Sequence, residues 1–454
     1  MTDEQQSSQT EESANLHQDV PRCALMLRSL TIRRYEQFRD CPTLQLSSGD
    51  NLLLGLNGSG KTSLLRLIAA ILRFNYDAIL DQPFHIEFEL AMVEHESAFL
   101  TVQGQVRNGL DEAARVATGR GRRQRSRYGG LEATFTFGYP DGNTHTVQVA
   151  DSRLFSTDPG TSGEGRAVDS WLSDGLSDEL GNVGSWRLSQ FAKNTFVVRE
   201  TERDFLLLTN ELAFDYQLER DHDEKFPLFG EPAFSGSEPA NRQWQEFLFE
   251  LAYRAANGPG ELAHPPAISF DKTAVAPGRP YDTSLLLEAL GAESISARLQ
   301  IEKSASREGR LPSLVGNGVE IRVCFESGTE IADARLTFGQ KRLITIGIGA
   351  LISQGSPILV DEIDNGLHPA LLKAALDMIR DRQTFMASHN KLVVDMLDYH
   401  SADDIRTKIL ICRRSKDGIQ TVSQLSEEEA QDVFEKVEIG LMSPSDVLRS
   451  EGLW

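Results

Sequence analysis

Cysteine is scarce in this chain. Cys23, Cys41, Cys324 and Cys412 stand apart and no two form a CxxC pair, so neither a zinc site nor a disulfide framework is indicated. Long apolar runs are missing too. The longest, Leu343 to Ile352, is too short to cross a bilayer and reads as a buried segment. The opening residues MTDEQQSSQTEES lack a basic region followed by an apolar run. No secretory signal is expected, the cytoplasm is the expected location, and a membrane is not an expected partner. Neither an internal repeat nor a long heptad run is present, which excludes extended coiled-coil arms. Positive charge is in deficit: the formal net charge of −21 makes the bulk surface a poor non-specific binder of DNA or RNA. One stretch runs against that balance. In GRGRRQRSRY, Arg120, Arg122, Arg123, Arg125 and Arg127 crowd together, either as a solvated loop or as a contact for nucleic acid or an acidic partner.

The 454 residues, 40% hydrophobic and 25% charged, have ordinary globular composition. They suffice for one large domain with an insertion or for two or three modest ones. ALMLRSLTIRRY, from Ala24, has the pattern of a strand, and TLQLSSGDNLLLGLNG holds two more around a turn at Ser47–Asp50. KTSLLRLIAAILRF spaces Leu64, Leu65, Ile68, Ile71 and Leu72 by threes and fours, which predicts a helix. Residues 84 to 155 alternate as strands, with a hairpin expected at Tyr139–Asn143. Residues 156 to 185, rich in Gly, Ser and Asp, read as a long exposed loop, and a helix is expected over residues 241 to 257.

Residues 55 to 62, Gly-Leu-Asn-Gly-Ser-Gly-Lys-Thr, fit G-x-x-x-x-G-K-[ST] between a strand and a helix. Gly55, Gly58 and Gly60 let the backbone curl so that its N–H groups face phosphates. The helix start favours anions, Lys61 reaches the β- and γ-phosphates, and the Thr62 hydroxyl suits Mg²⁺. Ile358-Leu359-Val360-Asp361-Glu362 is a buried strand ending in two carboxylates. Asp361 then partners Mg²⁺, and Glu362 polarises the attacking water. QTFMA ends in Ser388-His389, one strand–helix unit later, so His389 returns to the same sheet edge, where it can meet the γ-phosphate or cap the next helix. Leu336-Thr337-Phe338-Gly339-Gln340 precedes an apolar helix. It is either an ordinary capped helix start or a second anion-facing surface, useful to a nucleotide held by another molecule.

These four segments, in this order, resemble the ATP-binding-cassette superfamily, especially its soluble branch of structural-maintenance-of-chromosomes and recombination ATPases. The likeness spans about residues 24 to 75 and 330 to 425. It implies an α/β fold: a P-loop NTPase head of that type with a mixed sheet, an antiparallel lateral subdomain and a largely helical insertion. The expected division is a disordered tail (1–20), the two parts of the head (21–155 and 316–454), and a family-specific insertion (156–315). The resemblance assigns ATP and Mg²⁺ as cofactors, with Asn57, Gly58, Ser59, Gly60, Lys61, Thr62 and Ser63 around the nucleotide. Thr337, Gly339 and Gln340 would contact the nucleotide of a paired head, so self-association is implied. Phe338 departs from the usual glycine. Gln103 and Gln105 are candidates for the family's lobe glutamine, and Arg33, Arg34 and Tyr35 lie where such heads approach base and ribose. The Leu367-His368-Pro369 ending is similar to the overcoming-lysogenization-defect-like ATPases of phage defence, with His368 expected at the dimer seam. No carboxylate cluster with Toprim spacing follows His389, so any nuclease is expected to be a separate effector protein. ATP hydrolysis gating such an effector in antiviral defence is the first expectation, and a DNA-repair ATPase binding duplex across paired heads is the second.

Overall fold

The computed structural model describes residues 24–94, 97–109, 130–150, 284–304, 313–353 and 355–454 continuously, with shorter stretches between 153 and 280. The strands that matter for the site are Ala24–Tyr35 (β1), Phe38–Arg39 (β2), Asp50–Leu54 (β3), Ile358–Val360 (β4), Thr384–Ser388 (β5), Ile409–Arg414 (β6) and Gln420–Ser423 (β7). β3 pairs in parallel with β5 on one side and β6 on the other. Beyond β5 come β4 and then Phe196–Val198, both parallel. Beyond β6, β7 runs antiparallel and β2 leads through β1 into the lateral strands Phe84–Glu94, Ser97–Asn108, Leu131–Gly138 and Thr144–Ala150. All belong to one 15-stranded mixed sheet, the α/β architecture with antiparallel lateral strands expected from the sequence.

Side chains alternate between two apolar clusters along each central strand. Leu52 and Leu54 join one and Leu53 the other; Ile358 and Val360 oppose Leu359; Met386 opposes Phe385 and Ala387. A strand covered on both faces must be apolar at every position, which is why these segments read as unbroken runs. Helix Lys61–Leu72 (α1) covers one face, and helices Phe338–Ile352 (α2) and Pro369–Ile379 (α3) cover the other. Leu64, Leu65, Ile68, Ile71 and Leu72 of α1 are all buried, each worth roughly 1.5–3 kcal/mol. Buried Gln383 fastens β5 to β1: its Nε2 donates to Leu27 O (2.8 Å) and Ser47 O (2.7 Å), and its Oε1 accepts from Leu27 N (2.8 Å).

β1 and the Tyr139–Asn143 turn match their sequence expectations; Gly142 N donates to Tyr139 O at 3.0 Å. The stretch 156–185 does not match. Leu172 and Leu176 are fully buried in the lateral core, and Leu180 packs against it. Their four-residue spacing is a helical stripe, hidden in the sequence by intervening Gly, Ser and Asp. In the expected insertion, helix Val183–Asn194 sends Leu188 and Ala192 into the lateral core, and helix Ser284–Leu290 packs against Ala292–Ser304 of a five-stranded antiparallel sheet that also holds Ala267–Asp271. Two of its pairings are local hairpins, Ala292–Ser304 with Ser313–Phe325 and Ser313–Phe325 with Glu330–Ala332, whereas Ala213–Gln217 joins Ser313–Phe325 from far along the chain, a pairing that no local pattern encodes. The expected N-terminal tail, the arginine-rich stretch 120–127 and the expected helix over 241–257 lie outside the described residues. No described helix is long and apolar enough to cross a membrane.

Candidate functional site

β3 delivers the chain into the glycine-rich loop, and the local packing explains its composition. Gly60 has φ +98°, and a Cβ there would lie 2.6 Å from Phe38 Cζ and 2.7 Å from Gln420 Oε1. Only glycine meets both demands. α1 begins immediately after it without a side-chain cap, whereas α2 and α3 are capped by Thr337 and His368. An uncapped helix start behind a curled glycine loop presents its first N–H groups to an anion. Ser59 is buried, and its hydroxyl has no partner among the described residues. Asn57, Gly58 and Thr62 are exposed at the loop surface.

Lys61 is only 8% exposed and folds back, its Nζ donating to Gly55 O (2.8 Å) and Leu56 O (3.2 Å). Burial lowers its pKa from the ordinary lysine value, and Cys412, Asp361, Glu362 and Asp364 oppose that shift. A polyphosphate would relieve the desolvation that depresses this ammonium. Ser63, expected at the nucleotide, bonds the Glu36 carboxylate, which also holds Arg66 (3.2 Å) and Gln82 (3.4 Å). Behind the loop, burial pushes the Cys412 thiol up to about 12.

Asp361 follows β4 directly. Its backbone N–H donates to Val198 O (2.8 Å), its carboxylate is buried, and its Oδ1 has no partner among the described residues. A buried carboxylate oxygen without a donor is costly unless a cation or donor joins it. Mg²⁺ therefore fits this carboxylate, with the exposed Thr62 hydroxyl in the first turn of α1 as the other expected ligand. Glu362 adopts φ +48° and is exposed; Asn365 Nδ2 donates to its Oε2 at 3.1 Å. Such a backbone costs about 1–3 kcal/mol in a non-glycine residue, and Arg342 holds it in place. This guanidinium, 1% exposed, donates from Nη2 to the main-chain oxygens of Asp361 (2.6 Å) and Glu362 (2.8 Å). Sequence reasoning passed over Arg342, although a lone arginine opening an apolar helix was a visible signal.

Register completes the edge. Ser388 pairs with Leu54, so His389 emerges beside Gly55, exposed to solvent. It does not cap the next helix: Asn390 does, accepting from Leu392 N. Ser388 Oγ donates to Asp364 Oδ1 at 2.6 Å, tying β5 to the chain beyond Glu362. The loop, the two carboxylates and His389 thus meet at the carboxyl ends of adjacent parallel strands.

The Leu336–Gln340 segment forms a helix start. Thr337 and Gln340 make a reciprocal capping box, with Thr337 N donating to Gln340 Oε1 at 2.9 Å. A Cβ on Gly339 would lie 2.7 Å from Gly366 O, and Phe338 lies against Gly366. The segment is therefore seated on the loop that follows Glu362. Gln103 and Gln105 are exposed on the lateral strand Ser97–Asn108, where Gln105 Nε2 meets His85 Nε2 at 3.4 Å. Among the described residues, the glutamine that touches the phosphate loop is Gln420, donating to Gly58 O at 3.0 Å. His368 caps α3, and Pro369 follows at its first position, which gives Leu-His-Pro a local reason.

No protein-family model and no curated protein sequence matches the chain. Among solved structures, an SMC head bound to the C-terminal winged-helix domain of ScpA is 15% identical, with 89% of this chain and 99% of that one covered and a TM-score of 0.39. The SMC head domain of Thermotoga maritima is 11% identical, with 88% and 99% covered and a TM-score of 0.34. The recombination mediator RecF of the RecFOR pathway, with a bound ATP analogue, is 13% identical, with 90% and 100% covered and a TM-score of 0.33.

Proposed function

We propose that this chain is an ATPase head that binds Mg²⁺-ATP and hydrolyses it to ADP and phosphate in a site completed by a second head. The observation that carries the reading is the buried Oδ1 of Asp361, without a partner among the described residues, at the carboxyl end of β4, two strands from β3, whose loop leads to buried Lys61 at an uncapped helix start. Backbone N–H groups of Gly58 to Thr62 cradle the phosphates and Lys61 neutralises the β,γ end. Thr62 and Asp361 hold Mg²⁺, which when bound supplies charge neutralisation at the transferred phosphate. Glu362 orients the attacking water and accepts its proton, and His389 donates to the γ-phosphate. Thr337, Gly339 and Gln340 serve the nucleotide of the partner head, so ATP favours pairing and hydrolysis releases it. Lys61→Ala should abolish ATP binding. Glu362→Gln should bind ATP, accumulate as pairs by light scattering, and turn over at least about a hundredfold slower. Wild-type turnover in Glu362→Gln would remove it from the mechanism.

Of the two roles expected for the cycle, handling of duplex DNA has the better support. The strands bounding the arginine-rich stretch end at Asn108 and Leu131, which pair with each other, while Asn108 also pairs with Phe84. Phe84 in turn pairs with Tyr35, next to the Glu36 turn that holds Ser63. The described ends of the strands that flank the basic segment therefore lie on the side of the lateral sheet that carries the Glu36 turn, which supports this reading. Conversely, the Leu-His-Pro likeness to phage-defence ATPases now has a helix-capping explanation. DNA binding should require ATP, fall steeply with salt, and weaken when Arg122, Arg123 and Arg125 are made serine. Absence of DNA capture, together with a nuclease-like companion co-purifying with an even number of these chains, would favour effector gating instead.

A further inference from the structure

The β6–β7 hairpin beside the phosphate loop carries a second cation, Arg414. β6 and β7 pair antiparallel, with Arg414 opposite Gln420. The turn between them is closed by Ser415 N donating to Ile419 O (2.8 Å) and Ile419 N to Ser415 Oγ (3.1 Å). Gln420 docks this hairpin on the loop through its bond to Gly58 O, and its Oε1 is buried without a partner among the described residues. Arg414 lies between two glycines. A Cβ on Gly58 would be 3.6 Å from its Nη1, and one on Gly418 would be 3.6 Å from its Nη2.

Among the described residues the Arg414 guanidinium makes no hydrogen bond or ion pair, although the chain carries a net charge of −21. Its neighbour Arg413 differs: on the opposite face of β6, it donates to Leu453 O at 2.8 Å. An exposed arginine held over the phosphate loop rather than drawn to a carboxylate suits an anion that arrives with a ligand. The planar guanidinium fork matches phosphate oxygens.

Strand order says which phosphate. Glu362 and His389 follow β4 and β5, on one side of β3, whereas Arg414 ends β6 on the other. A triphosphate lying along the loop with its γ end toward Glu362 leads its α end toward β6. We infer that Arg414 binds the α-phosphate end of the nucleotide and sets affinity for ATP and ADP alike. The inference rests on the ATPase reading above.

The test is calorimetric titration of ADP and, in the Glu362→Gln background, of ATP into wild-type, Lys61→Ala, Arg414→Ala and Arg414→Lys chains. Arg414→Ala should weaken both nucleotides roughly tenfold or more, as expected for losing a charge-assisted contact. Arg414→Lys, which keeps the charge but loses the fork, should fall between. Because Arg414 is exposed, the ligand-free melting temperature should hold; Arg414→Gln serves if the alanine variant melts early. Wild-type ADP affinity in Arg414→Ala overturns the inference, and so does a loss confined to ATP, which would put Arg414 at the γ end or the head–head seam. If the wild type binds no ATP, the ATPase reading itself fails. If only Lys61→Ala loses ATP, that reading stands and this inference falls alone.

Discussion

Replacing Arg342 with methionine keeps the length and apolar stem of the side chain and removes the donors that hold the end of β4. In the wild type, Nη2 serves the main-chain oxygens of Asp361 and Glu362. Losing a buried acceptor's partner costs about 1–3 kcal/mol. The Asp361 bond is buried and the Glu362 bond only partly so, which places the second near the low end because water can replace the donor. Removing a buried charge returns some desolvation energy. The two lost partners amount to about 2–4 kcal/mol, and the returned desolvation energy brings the expected net loss to about 1–3 kcal/mol. The functional effect should be separable. With its restraint gone, Glu362 can leave φ +48° for a more favourable backbone region, carrying its carboxylate away from the water it orients. We expect kcat to fall at least about tenfold, or about 1.4 kcal/mol in the barrier. ADP affinity should change little, because the Arg342 bonds go to Asp361 and Glu362 rather than to the Gly55–Thr62 loop. Urea unfolding, steady-state phosphate release and ADP titration measure the three quantities. A variant that loses less than about 1 kcal/mol and keeps wild-type kcat would refute the proposed restraint of Glu362.

Four further outcomes follow from the packing and the titration behaviour. Gly60→Ala sets a Cβ against Phe38 and Gln420 at φ +98°; it should abolish nucleotide binding by titration and cost about 2 kcal/mol or more in urea. Gly339→Ala meets the backbone oxygen of Gly366 rather than a movable side chain, so a loss of about 1–3 kcal/mol is expected with turnover reduced more than ADP binding. Gln383→Ala leaves Leu27 N, Leu27 O and Ser47 O without their side-chain partner and should lower unfolding free energy by about 2–4 kcal/mol. The Cys412 thiol is held up to about 12 against its ordinary 9.0 by burial. The folded chain therefore keeps a proton that the unfolded chain releases. This contribution is complete below about pH 9 and is lost as pH rises toward 12. Urea unfolding at pH 8, 9 and 10 should show a decline that Cys412→Ala makes shallower.

The sequence by itself determined the parts of this protein that are contiguous. Gly55–Thr62 between a strand and a helix, two carboxylates after Ile358–Val360, and His389 after a short apolar strand are each legible because the chemistry and its local scaffold share one short stretch of chain. Strands with both faces buried and helices with one apolar stripe were legible for the same reason. Leu172 and Leu176 were not, because polar and glycine residues masked their spacing. Tertiary structure alone decided which distant groups serve the loop. Gln420 reaches Gly58 across 362 residues of sequence, and Arg342 grips the end of β4 from the helix that precedes it. Parallel strands are joined by crossovers, not turns, so their order follows from which apolar faces can be buried together. That order sets Arg414 on one side of β3 and Glu362 and His389 on the other, and no local pattern encodes it.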